Sequence, residues 1–330
     1  MQFRTELFLP EASQKITHSR NILGIGSCFV DTIGERLDKA KFKVLLNPFG
    51  TLFHPLAIEN ALMRIHSLAY YTPEEIFKYN ELFFSWDHHS SFSRISEKTT
   101  LEKINTELEI ANEFIHSTDC FILTFGTSWV YKLKELDLFV ANCHKIPNSN
   151  FTKHLLTDVQ IKSSIKNCFD LLLDINPNAQ IITTISPVRH VKDGLVENNI
   201  SKSKLHSGLF DVLSHYPQVE YFPAYELMMD DLRDYRFYKE DLIHPNEMAV
   251  QYIWEKFSTT YFDSETLEKI KLTQKIHSAL MHRPMNRNTS SYKEFIYKAY
   301  KQIESVESRF PKNSFVEEKL TLKKLMTDAN

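Results

Sequence analysis

Three short apolar runs limit what this chain can become. Ile22 to Ile25, Cys120-Phe-Ile-Leu-Thr-Phe125 and Gln180-Ile-Ile-Thr-Thr-Ile185 have strand length, and Cys120–Phe125 is apolar throughout. A strand without polar alternation has to be covered on both faces, as happens in parallel sheets flanked by helices. Lys43-Val-Leu-Leu46 and Val219-Glu-Tyr-Phe222 read as two further strands. Between these runs, apolar residues at helical spacing predict helices over 29–40, 54–66, 99–117, 155–174 and 197–215, with another after Pro245. The alternation predicts an α/β fold: a five-stranded parallel sheet with helices on both faces, Ile22–Gly26 and Cys120–Phe125 being neighbours.

Other stretches depart from that rhythm. Residues 71–95, with Trp86, His88, His89 and Phe92, read as a short strand and a loop over the strand ends. Trp129–Lys132 and Leu138–Asn142 read as a hairpin-like insertion. Residues 263–330 show charged helical patterns and no strand pattern, with breaks at His282-Arg-Pro284 and Phe310-Pro311. The expected organisation is therefore an α/β domain over 1–262 and a helical extension over 263–330. The extension would serve as an arm on the core or as the contact of a homodimer.

Composition sets the outer limits. A chain of 330 residues can hold one large α/β domain with an appendage. A net charge of −3 gives no basis for a nucleic-acid groove. The four cysteines, Cys28, Cys120, Cys143 and Cys168, lack the paired spacing of a zinc site, and reduced thiols in the cytoplasm fit them best. The N-terminal segment has no apolar core of signal-peptide length, and no run is long enough to span a bilayer, so no membrane partner is expected.

The chemistry-bearing residues fall at the ends of the expected strands. Asn21-Ile-Leu-Gly-Ile-Gly-Ser-Cys-Phe29 runs from a strand into a helix, which puts Ser27 and Cys28 at a helix N-terminus. Unpaired N–H groups and the helix dipole favour a nucleophile or an oxyanion there. The alternative is a plain turn, with Ser27 as an N-cap and Cys28 as a small buried residue. Far along the chain, Asp241-Leu-Ile-His244-Pro245 precedes a helix. An Asp three residues before a His can fix the imidazole tautomer and stabilise its charged form. The turns at Gly50, Gly126-Thr-Ser128 and Ser186–His190 belong to the same edge of the sheet, where open α/β sheets bind ligands.

These motifs resemble those of the GSCFA domain family, which belongs with the SGNH/GDSL hydrolases. The likeness rests on Gly26-Ser-Cys-Phe29, Pro48-Phe-Gly-Thr51, Ser85-Trp-Asp-His-His89, Phe125-Gly-Thr-Ser-Trp-Val-Tyr131, Asn142-Cys-His-Lys145, Ser186-Pro-Val-Arg-His190 and Asp241-x-x-His244. It implies a flavodoxin-like sheet and a site made of a nucleophile, His244 and Asp241. Laid without a gap on the superfamily's Gly-Asp-Ser turn, the sequence puts Cys28 in the nucleophile's place, while the superfamily's usual chemistry favours Ser27. A thiolate at Cys28 would be favoured by the helix N-terminus and by His244. The resemblance makes the nucleophile's own N–H and that of Gly50 the oxyanion donors. It puts Ser128 where the superfamily has Asn, with Asn142 as a substitute.

The remaining expectations concern ligands. Trp86, His88, His144, Arg189 and His190 are candidate substrate-binding residues, Arg189 being suited to a carboxylate or phosphate. A rival arrangement would gather His88, His144, His190, His244 and Asp241 on zinc, but no His-x-His or His-x-x-x-His spacing supports it. No metal and no cofactor is called for. The activity implied is an esterase, deacylase or acyltransferase working on an acyl group of a small molecule or saccharide. The alternative is a non-catalytic protein that keeps the pocket.

Overall fold

The structure is a computed structural model that describes residues 4–282 and 289–328. In chain order its strands are β1 (Asn21–Gly26), β2 (Lys43–Leu46), β3 (Ile76–Tyr79), β4 (Leu82–Ser85), β5 (Cys120–Phe125), β6 (Trp129–Leu133), β7 (Leu138–Val140), β8 (Phe151–Leu155), β9 (Gln180–Ile185) and β10 (Val219–Tyr221). Its helices are α1 (Cys28–Lys39), α2 (Pro55–Ser67), α3 (Glu97–Ile115), α4 (Asp158–Ile175), α5 (Leu195–Leu213), the single turn α6 (Ala224–Glu226), α7 (Glu247–Tyr261), α8 (Ser264–Met281), α9 (Ser290–Val306) and α10 (Val316–Asp328). The chain forms two compact units. One comprises Asn21–Gly34 and Val44–Phe257 with the N-terminal stretch to Pro10, and the other comprises Glu11–Arg20, Glu35–Lys43 and the chain from Ser258 onward.

The first unit is the expected α/β fold. Its main sheet runs β10-β9-β5-β1-β2. Counted along the chain, that is the order 2-1-3-4-5 of a flavodoxin-like sheet, which reverses direction between β1 and β5. β5 is parallel to both neighbours, with Thr124 opposite Gly26 on one side and Thr184 on the other. All six residues of β5 and of β9 are buried, the polar Gln180, Thr183 and Thr184 of β9 included. On one face Leu23, Ile25, Phe121, Leu123, Phe125, Ile181 and Ile185 share a core with Leu62 of α2, Leu108 of α3, Phe169 of α4 and Leu209 of α5. Each fully buried side chain of this kind contributes about 1.5–3 kcal/mol. α1 covers the other face closely enough that a Cβ on Gly24 would come within 2.6 Å of Val30.

The insertions contain more strand than the sequence suggests. β3 and β4 form an antiparallel hairpin, and β6 is flanked by both β7 and β8. β8 runs through Leu155, into the stretch read as a helix from 155. Its five residues pair antiparallel with the whole of β6, a partnership that local periodicity does not reveal. α4 starts only after Thr157, whose hydroxyl accepts the Gln160 N–H at 3.3 Å, while Gln160 accepts the Thr157 N–H at 3.0 Å.

In the second unit, Ile276, Tyr292, Ile296, Ile303, Phe315 and Leu322 pack α8, α9 and α10 together. Two earlier segments belong to this unit, though the sequence assigns them to the α/β part. Ala12 and Ile16 donate their N–H groups to Thr260 and Tyr261 at 2.9 and 2.8 Å, and Phe42 stacks on both His18 and Phe262. Such long-range backbone pairing leaves no local signal. The break at Phe310-Pro311 falls between α9 and α10, whereas the break at His282-Arg-Pro284 lies largely outside the described residues. Among the described residues, no helix is long and apolar enough to cross a membrane.

Candidate active site

β1 stops at Gly26 because the next residues must turn hard. Gly26 has φ +143°, and an added Cβ would lie 2.2 Å from the Thr124 carbonyl oxygen. Asn47 holds this turn in place. Its Oδ1 accepts the Gly26 N–H at 2.8 Å, its N–H donates to Gly24 O at 2.8 Å, and its Nδ2 donates to Asp31 of α1 at 2.7 Å.

Ser27 and Cys28 take different roles in the turn. Ser27 is buried; its Oγ accepts the Phe29 N–H at 3.3 Å and its N–H donates to Thr124 O at 3.1 Å. That is an N-cap's work. Cys28 opens α1 and is only partly buried. Its thiol pKa is nevertheless pushed up, first by burial and then by Asp31, against the opposing pull of Lys202, its own N–H and Lys239. Loss of water, then the charge of Asp31, thus oppose the thiolate that the helix N-terminus favours.

The Asp241–His244 pair forms as expected. His244 Nδ1 lies 2.7 Å from Asp241 Oδ2. Asp241 Oδ1 accepts the N–H groups of His244 and Ile243, each at 2.9 Å. The His244 and Ile243 N–H groups, with the imidazole, hold the Asp241 carboxyl down to about 2. An ionised carboxylate only accepts, so Nδ1 carries the proton and Nε2 is left as the basic nitrogen. Among the described residues no hydrogen bond joins His244 to Ser27 or Cys28. The charge of Lys239, whose N–H donates to His244 O at 2.8 Å, does reach the Cys28 thiol.

Two of the expected oxyanion donors, Gly50 and Ser128, are engaged within the fold. Gly50 (φ +73°) donates its N–H to Asn47 O at 2.6 Å, and a Cβ there would meet His89 Cβ at 2.3 Å. Ser128 is wholly buried; its Oγ donates to the Ser201 carbonyl at 3.1 Å and its N–H to Ser201 Oγ at 2.7 Å. It clasps the end of β5 to α5 because its short side chain cannot reach further. Asn142 Oδ1 accepts the His144 N–H at 2.8 Å.

Of the expected substrate contacts, three belong to an aromatic layer instead. His144 is buried with both ring nitrogens engaged, Nδ1 with Ser90 Oγ at 2.9 Å and Nε2 with Ser85 O at 2.8 Å. His88 is buried and stacked on Phe49 at 4.3 Å, and burial drives its pKa down to about 3. Trp86 stacks on Phe77 at 3.8 Å. Among the described residues no three His, Cys, Asp or Glu side chains gather in a set able to hold a metal ion.

Arg189 and His190 do lie at the strand ends. The His190 N–H donates to Asn198 Oδ1 at 2.9 Å, and its ring meets Phe53 edge-on. Burial, then the charge of Lys202, bring His190 down to about 4; His244 adds to the effect and Asp193 opposes it. Lys202 is the residue that motif reading missed. It is 2% exposed, its Nζ donates to Ser186 O at 2.7 Å, and burial brings it down to about 7. Cys28 and Arg189 are the two groups whose charges act on it. The available signal was the helical spacing of Asn198, Ser201 and Lys202 with Leu205, Leu209 and Val212, a core stripe whose first turn is polar.

The GSCFA family model matches residues 21–257, and that of the GSCFA domain protein's C-terminal domain matches residues 273–328. The chain belongs to the GSCFA family. No curated protein sequence matches it significantly. Among solved structures it is similar to a candidate platelet activating factor from Streptococcus pneumonia, at 12% identity and a TM-score of 0.38 over 72% of this chain and 82% of that one. It is also similar to an acetyl xylan esterase from the rumen bacterium Butyrivibrio proteoclasticus, at 11% identity and a TM-score of 0.38 over 72% of this chain and 62% of that one. The N-terminal GSCFA match takes in Cys28, Lys202 and the Asp241–His244 pair.

Proposed function

We propose that this chain is an SGNH-type hydrolase or acyltransferase that takes an acyl group from a small molecule or saccharide. The observation that carries the reading is the Asp241–His244 hydrogen bond of 2.7 Å, with both backbone N–H groups closing on the same carboxylate. Such an arrangement leaves Nε2 as a base of fixed orientation. Cys28 suits the nucleophile's role better than Ser27, whose Oγ caps α1 in a buried position. Because the thiol is held protonated, Cys28 needs a base at the moment of attack. His244 would take its proton through a hydrogen bond that forms only with substrate bound.

The reaction is ordinary acyl transfer. The thiol sulfur attacks the acyl carbon, His244 receives the thiol proton and returns it to the leaving alcohol or amine, and a second nucleophile releases the acyl group. Turnover of a panel of p-nitrophenyl esters, with and without an acyl-CoA, tests it. Wild type should release nitrophenol while His244→Ala should not; equal release from both would overturn the reading. A second reading, a binding protein that keeps the pocket, draws support from Gly50, whose N–H already serves Asn47.

A further inference from the structure

We infer that Arg189 and Lys202 form an anion-binding subsite beside Cys28, so that the substrate carries a carboxylate or phosphate-type oxyanion close to its reacting group. The inference rests on the proposed function for its choice of site, and it adds the class of substrate.

Hydrogen-bond register puts the two positions on one edge of the sheet. β1 ends opposite Thr124, and Cys28 follows two residues later. β9 ends opposite Phe125, and Ser186, directly after it, donates its N–H to Phe125 O at 2.9 Å. The Ser186 carbonyl then receives Lys202 Nζ from α5 at 2.7 Å. The Lys202 ammonium thus sits over the carboxyl ends of the central strands, where its charge reaches Cys28.

Arg189 brings a second cation to the same edge. Its Nη2 donates to the thioether of Met229 at 3.0 Å, and its Nε is buried without a hydrogen-bond partner. A thioether is a weak acceptor for a guanidinium. Among the described residues, neither Arg189 nor Lys202 lies within ion-pair distance of a carboxylate. Burial, and to a smaller extent the charge of Arg189, disfavour the Lys202 ammonium. Two neighbouring cations with unused donors and no acid cost the free protein stability. An oxyanion would satisfy the Arg189 Nε–H, pair with the guanidinium fork and restore the Lys202 charge.

The test compares a charged and a neutral alkylating reagent at Cys28, with no turnover required. Wild-type full-length protein is treated with iodoacetate or iodoacetamide, and the rates at Cys28 and Cys143 are read by peptide mass spectrometry. The iodoacetate-to-iodoacetamide ratio should be about tenfold higher at Cys28 than at Cys143, since a cationic cleft raises the local concentration of an anion. Inorganic phosphate should slow iodoacetate at Cys28 much more than iodoacetamide. Arg189→Gln should bring the ratio down to that of Cys143, and Arg189→Lys should keep part of the difference. Asp241→Asn, which removes turnover under the proposed function, should keep it in full, so the two readings fail separately. Equal ratios at Cys28 and Cys143 in wild type would overturn the subsite. If neither reagent reaches Cys28, thermal unfolding with inorganic phosphate or succinate decides. A rise in Tm that Arg189→Gln abolishes supports the subsite, and no rise, or one that the variant keeps, overturns it.

Discussion

Asp241 grips His244 twice, through the imidazole Nδ1 at 2.7 Å and through the backbone N–H at 2.9 Å. The two contacts fix the ring's tautomer and its direction together. In Asp241→Asn the side-chain amide can turn its N–H₂ toward Nδ1 and favour the opposite tautomer. Ester turnover should fall on the order of 10³–10⁴-fold in kcat with little change in KM. A loss below about tenfold would mean that the pair is a turn device only.

Ser27 and Cys28 separate by substitution. Ser27→Ala removes the acceptor for the Phe29 N–H and should cost about 1 kcal/mol in urea unfolding while turnover survives. Cys28→Ala should fold normally and lose turnover. The reverse pattern would give the chemistry to Ser27.

Gly26 tolerates no side chain. Its φ of +143° and the 2.2 Å approach to Thr124 O leave a Cβ no room, and the obstacle is backbone. Gly26→Ala should destabilise by about 3 kcal/mol or more, a strained dihedral adding to overpacking. Circular dichroism melting checks this. A shift of under a few degrees would contradict the tight turn.

Lys202 makes stability rise with pH. Its folded pKa of about 7 lies below the ordinary value of 10.5, so between those limits the unfolded chain holds a proton that the folded chain lacks. Stability should therefore rise from pH 7 toward 10, by up to about 1.4 kcal/mol per pH unit from this group. Lys202→Met should flatten that rise in urea unfolding at pH 7 and 9.5. An unchanged slope would show that Lys202 keeps its proton when folded.

Buried histidines act in the same sense in acid. His54 is held down to about 4 and His88 to about 3, both mainly by burial. As pH falls below 6.5 the unfolded chain takes up protons that these rings refuse, and stability is lost down to their folded pKa values. His88→Phe, which can keep the stack on Phe49, should lose less stability than wild type between pH 6.5 and 4. A parallel loss in both proteins would place the acid sensitivity elsewhere.

The largely apolar strands and the helical stripes between them determined the parallel sheet, because a strand with apolar residues on both faces has few other ways to be covered. Motif spacing likewise pointed to the Asp241–His244 pair, since three residues around a turn let two side chains meet once the turn forms. Local pattern could not decide what depends on distant partners. β8 forms by pairing with β6, and Glu11–Arg20 joins the C-terminal helices by backbone hydrogen bonds to Thr260 and Tyr261. The site followed the same division. Folding turned Ser128 to Ser201, Gly50 to Asn47, and His88 and His144 into an aromatic layer. It also brought Lys202, an unremarkable lysine in a helical pattern, to the strand ends beside Cys28. A residue's type and spacing state what it can bond to, and only the packed chain decides which partner reaches it first.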